Sequence, residues 1–177
     1  FIDPEEARQW VTDYEQTLID ECVPVGYDVN AQVACVTTMM LHDDESEAIR
    51  RGAEGANFFG YSLGHYYVFG THRPAVTNVW QEYEQQRGAQ GFDPDAVARA
   101  VQEERLGAKV ASGDTSGLRG CTGTPEQARE FLRRYEEAGV DQVIFVLQAG
   151  RNQHEHIMES IEIFGKEILP EFLDRDE

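Results

Sequence analysis

The chain has 177 residues, 41% hydrophobic and 10% aromatic, an ordinary globular composition with enough length for one domain with a real core. Its 33 acidic residues outnumber 15 basic ones, a formal net charge of -18, and such a surface repels phosphate backbones and anionic lipid, so nucleic-acid and membrane partners are not expected. No apolar run approaches the ~20 residues of a membrane span, no basic-then-apolar start reads as a signal peptide, and Cys22, Cys35 and Cys121 lack a CxxC pattern, as expected for reduced thiols of a cytoplasmic protein.

The chain opens at Phe1 without an initiator methionine, and Phe-Ile-Asp-Pro runs at once into a helix start, as though the sequence were entered in its middle. Asp3-Pro4-Glu5-Glu6 supplies an N-cap, a proline at the first helical position and early acids. Behind it Trp10, Tyr14 and Leu18 recur at i, i+4 and i+8, predicting one buried stripe. Ala31 to Leu41, with Val33, Val36 and paired threonines, predicts a strand. Alternation along it puts Val36, Thr38 and Met40 on one face and Cys35, Thr37 and Met39 on the other. His42-Asp43-Asp44 then reads as a turn and cap.

From Asp44 to Gly107 the pattern is almost wholly helical, including the aromatic-rich Asn57 to Phe69, the amphipathic Val79 to Arg87 and a helix start at Asp93-Pro94. Leu106 to Gly120, with four glycines among small polar residues and no period, predicts a mobile loop. A short extended piece is expected near Gly120 to Gly123. Thr124-Pro125-Glu126-Gln127 repeats the capping device, and Ala128, Leu132 and Tyr135 form the stripe behind it. Val143 to Leu147, soon after Gly139, is a continuous apolar run, as in a parallel strand covered on both faces. Asn152-Gln153-His154-Glu155 predicts a third capped start, and Ile157, Ile161, Phe164 and Ile168 a final stripe ending near Pro170.

Strand, helix, strand, helix with short turns implies right-handed βαβ units and a parallel sheet. Two or three strands cannot close a barrel, which takes ~250 residues. The expectation is one α/β domain over 1–177 whose remaining strands lie on the N-terminal side or come from a partner.

Three stretches resemble one family. They are Gly123-Thr124-Pro125-Glu126-Gln127-Ala128 followed by Tyr135 to Val143, His154 to Pro170, and the strand from Val33 running into the acidic helix start at Asp44. In order and spacing they are similar to the closing section of the bacterial luciferase-like flavin-dependent monooxygenases. The resemblance implies the C-terminal portion of a (β/α)8 TIM barrel with a long helical excursion after the seventh strand. Phe1-Ile2 would end the sixth strand, Ala31 to Leu41 would be the seventh and Val143 to Leu147 the eighth. It further implies reduced FMN as cofactor (deazaflavin in some members), O2 and a small organic molecule as substrates, a flavin reductase supplying reduced flavin, and chemistry at the C-terminal ends of the strands. A homodimer is expected. The family's phosphate contacts and most catalytic positions belong to the first six strands, which this sequence lacks.

By that comparison Val36 and Thr38 face the lumen near the flavin, Phe59 is an aromatic near it, and Gln148 with the Gly150 backbone approaches the ring. Arg151 would stand near an anionic group at a helix N-terminus. Each has a plainer reading: barrel packing for Val36 and Thr38, aromatic core for Phe59 among Phe58, Tyr61, Tyr66, Tyr67 and Phe69, and a strand-to-helix turn for Gln148 and Gly150, the glycine supplying positive φ. His42, at a strand end, is the candidate acid or base. His154 and His156 lie roughly 200° apart on a helix and cannot share an ion, so no metal site is expected. The loop to Gly120 is read as a lid, with Lys109 or Arg119 touching flavin or substrate. No GxSxG, P-loop or GxGxxG is present. The rivals are a non-catalytic half-barrel that covers its open edges by self-association, and a deazaflavin-dependent oxidoreductase of the same fold.

Overall fold

The computed structural model describes residues 4–66, 70–89 and 120–173. The expectations for Phe1-Ile2, the Asp3 cap, Tyr67, Phe69, the helix start at Asp93-Pro94, and the loop from Gly107 with Lys109 and Arg119 lie outside these residues. In chain order the described elements are α1 (Pro4–Glu21), β1 (Ala34–Leu41), α2 (Glu45–Gly64), α3 (Val79–Ala89), β2 (Cys121–Gly123), α4 (Pro125–Glu137), β3 (Gln142–Val146) and α5 (His154–Ile163). A π-helical turn, Phe164–Ile168, joins α5 to α6 (Leu169–Leu173).

The three strands form one parallel sheet in the order β2-β1-β3. β1 pairs along Ala34 to Thr38 with Gln142 to Val146 of β3, and only its last residues, Met39 to Leu41, pair with Cys121 to Gly123 of β2. The chain thus steps from β1 to β2 in one direction and from β2 back past β1 to β3 in the other. Right-handed crossovers then place the two sets of connecting helices on opposite faces. That is what the packing shows. Met39, Leu41 and Cys121 are buried with Ala128 and Leu132 of α4 and Ile168 of the π turn, whereas the next residues along, Met40 and Thr122, lie against Gly52 of α2. In a (β/α)8 barrel the strands follow one another round the ring in a single direction and every helix lies outside it; the three-residue β2 and the packing of α2 on the second face both depart from that plan, while the two longer strands remain neighbours.

Two caps form as their sequences dictate. Asp44 accepts from the backbone N–H of Ser46 at 2.8 Å and of Glu47 at 3.2 Å to start α2. At α4, Thr124 accepts from Gln127 N–H at 3.3 Å while the Gln127 side chain accepts from Thr124 N–H at 2.9 Å, a complete capping box ahead of Pro125. The third does not form. α5 starts at His154 behind Gln153, which makes no side-chain cap bond. The Asn152 amide instead turns back and donates to Leu147 O at 2.8 Å, closing the turn after β3.

Four other expectations are corrected. α1 buries Pro4, Ala7 and Val11, while Trp10 and Tyr14 are exposed. Ala7 packs with Tyr135 of α4 and with Ala138 just after it, and Val11 lies near Gly139, so small residues permit the close approach that an aromatic stripe would forbid. In the last helix Ile157 and Ile168 are buried but Ile161 is 43% exposed. The π turn inserts a residue into the helical register, and the chain continues through Pro170 to Leu173. Finally, among the described residues β3 is covered on one face: Val143 and Phe145 pack on the α4–α5 core, and Ile144 is 46% exposed. β1 also begins at Ala34 rather than Ala31.

Candidate functional site

The C-terminal ends of β1 and β3 carry the sequence-predicted polar residues. His42 directly follows β1. Its Nδ1 accepts a hydrogen bond from Asp44 N–H at 3.0 Å, so the neutral imidazole carries its proton on Nε2. Nε2 faces Glu159 Oε1 of α5 at 4.0 Å. The other oxygen of Glu159 accepts from Arg51 Nη1 at 2.5 Å, and Arg51 Nε donates to Glu47 Oε1 at 2.7 Å. Hydrogen bonding to Arg51 holds the Glu159 carboxyl below its ordinary range. Hydrogen bonds from Arg50 and Arg51 lower Glu47 to about 2. The result is a partly exposed imidazole whose Nε2–H stands beside an ionised carboxylate and can act as a hydrogen-bond donor.

Val36 and Thr38 lie in the middle of β1, Val36 half-buried and Thr38 buried. Alternation puts both on the face that carries Met40, opposite the α4–α5 core. Met40 itself is covered by α2, where the absence of a side chain at Gly52 admits it. Among the described residues this face is open toward the strands' N-terminal halves, at Val36 and Ile144. Gln148 is exposed in the turn after β3. Gly150 has φ of +56°, as its role in the turn requires. The close approach it permits is made by the protein's own helices: a Cβ there would lie 2.8 Å from Trp80 Cζ3 and 3.4 Å from Gly55 Cα. Arg151 stacks over the Trp80 ring at 4.7 Å and pairs with Glu84 at 3.3 Å, so its charge is engaged within the chain. Phe59 is half-buried on α2, next to Phe58, which packs with Tyr61, Val79, Trp80 and Tyr83.

That cluster includes what the sequence reading missed. Trp80 and Tyr83 on α3 stack against α2, with Phe58–Trp80 centroids at 4.8 Å and Tyr61–Tyr83 at 5.5 Å. His65, 1% exposed, brings Nδ1 to 3.2 Å from Glu82 Oε2. The signal was in the spacing: Phe58, Tyr61 and His65 fall at i, i+3 and i+7, and Trp80 with Tyr83 at i and i+3. Ser160 was also missed. It is fully buried and accepts from Leu41 N–H at 2.9 Å.

Among the described residues no three His, Cys, Asp or Glu side chains gather as metal ligands, and no helix is long and apolar enough to cross a membrane. No family model and no curated protein matches the chain.

Proposed function

We propose that this chain is the C-terminal portion of a luciferase-like (β/α)8 flavoenzyme, a cytoplasmic homodimer that uses reduced FMN and O2 to oxygenate a small organic substrate, with a flavin reductase supplying the reduced cofactor. One observation carries the reading. The two longer strands, β1 and β3, are parallel neighbours. The outer edge of β3 and the Ala34–Thr38 edge of β1 pair with no other strand among the described residues. Unpaired strand edges are usually covered or paired, so further strands beside β3 and beside the Ala34–Thr38 part of β1 are one natural completion, and a closed ring is one way to supply them.

The residues present suit the ring of a flavin better than its phosphate. Val36 and Ile144 offer an apolar wall on the uncovered face, and Gln148 an amide at the strand end. The cations beside these strand ends, Arg51 and Arg151, are both paired with carboxylates. Phosphate binding would fall to residues outside this section. FMN would supply oxygen activation. The chain's own part is to exclude water with the β1 and β3 side chains and to offer the His42 Nε2 proton near a developing oxyanion. The same open edges also favour the rival reading, a scaffold that associates through them.

The two readings separate in one assay: oxygen uptake by the protein with FMN, NADH and a flavin reductase across a panel of apolar substrates. The enzyme reading expects oxygen consumption matched by product rather than by free peroxide, reduced at least tenfold in His42→Ala. Uptake that appears entirely as peroxide with every substrate would overturn it.

A further inference from the structure

The aromatic cluster between α2 and α3 is not needed for the chemistry just proposed, yet it holds two buried donors that the described residues do not satisfy. Trp80 Nε1 and Tyr83 Oη are both buried with no hydrogen-bond partner among the described residues. Tyr83 is 5% exposed, and burial pushes its phenol up to about 12, so it stays a protonated donor at neutral pH. An indole N–H can only donate. The two side chains project from one face of α3, a turn apart, with ring centroids 5.5 Å from each other. Leaving buried donors without acceptors is costly, and native proteins seldom do it without a functional reason. The nearby carboxylates are turned elsewhere, Glu82 toward His65 Nδ1 at 3.2 Å and Glu84 toward Arg151 at 3.3 Å.

The walls around the two donors are Phe58, Tyr61 and Val79. The Phe58 and Tyr61 rings are tilted 66° and 54° to Tyr83 rather than stacked in parallel, which suits a flexible apolar group better than an intercalated flat ring. Glu84 is offset by Arg151 over the Trp80 ring, which leaves the Glu82 carboxylate beside the cluster to favour a neutral acceptor over an anion. We propose that the α2–α3 aromatic cluster binds an apolar small molecule through a neutral carbonyl oxygen, which accepts hydrogen bonds from Trp80 Nε1 and Tyr83 Oη. This site does not depend on flavin binding.

The test uses the whole protein and 2-octanone as probe, with octanoate for comparison. The chain has two tryptophans, so the indole N–H cross-peaks in a proton–nitrogen correlation spectrum are assigned with Trp10→Phe. The expected result is a saturable downfield shift of the Trp80 signal with the ketone, weaker with octanoate. Affinity for the ketone should fall roughly tenfold in Tyr83→Phe and in Trp80→Phe. Tyr83→Phe should also unfold at the same temperature as the parent or higher, because it deletes an unsatisfied hydroxyl. Absence of a saturable shift, equal ketone affinity in both variants, or a Tyr83→Phe protein that is clearly less stable, showing that the hydroxyl already has an acceptor such as a fixed water, would each overturn the proposal.

Discussion

Substituting Gly150 by alanine tests how tightly the turn after β3 is locked onto the helical layer. Two penalties add. The backbone there has φ of +56°, a left-handed conformation that costs an alanine about 1–2 kcal/mol. The new Cβ would also stand 2.8 Å from Trp80 Cζ3, so the ring must retreat by about 0.6 Å to reach the 3.4 Å of ordinary contact. Trp80 cannot retreat freely, being held by Phe58 at 4.8 Å, Tyr83 at 5.5 Å and Arg151 at 4.7 Å. Overpacking of this kind costs about 1–3 kcal/mol. The sum, about 2–5 kcal/mol, is a large share of the stability of a domain this size. Urea denaturation followed by far-UV circular dichroism measures it. Gly26→Ala serves as the control: nothing lies within 4 Å of its Cβ, and its stability should change by less than about 0.5 kcal/mol. A Gly150→Ala protein as stable as that control would refute the packing of the turn on Trp80.

Ser160→Ala leaves the Leu41 N–H buried without its acceptor and should cost about 1–3 kcal/mol by the same denaturation. On α1, Trp10→Ser should change stability by less than about 0.5 kcal/mol, whereas Val11→Ala should cost about 1 kcal/mol, a pair that checks which face of the helix meets α4. Glu47 has its folded pKa lowered from 4.5 to about 2 by Arg50 and Arg51. Its contribution to stability is therefore present above pH 4.5 and is lost as pH falls toward 2. Melting curves of Glu47→Gln should lie below those of the parent at neutral pH and converge with them across that window; a gap that persists at pH 2 would show that the arginine pairing is not what lowers the carboxyl.

Much of the local structure was legible because it rests on short-range chemistry. Thr124 and Gln127, Asp44 with its acceptor oxygen, and the Ala128–Leu132–Tyr135 stripe are settled within a few residues of chain, and each appears as the sequence implied. What failed needed partners distant in sequence. The exposure of Trp10 follows from the choice of Ala7 and Val11 to meet α4, about 130 residues on, and nothing near Trp10 announces it. Asn152 had two bonding options, a cap or the Leu147 carbonyl, and the turn geometry around Gly150 selects the second. The π turn at Phe164 shifts a stripe that a uniform helical period would have continued. At the candidate site, His42 at a strand end was readable from its position, but its pairing with Glu159 and Arg51 joins residues about 110 apart. The aromatic cluster was visible on α2 alone, since the half from α3 arrives through a separate helix.

The account centres on the uncovered face of β1 and β3 receiving a reduced flavin ring. Anaerobic calorimetric titration of reduced FMN into the protein, beside a Val36→Arg variant that places a charge on that face, tests it directly. Saturable binding by the parent and its loss in the variant are predicted; no heat of binding to the parent, or equal binding by both proteins, would contradict it.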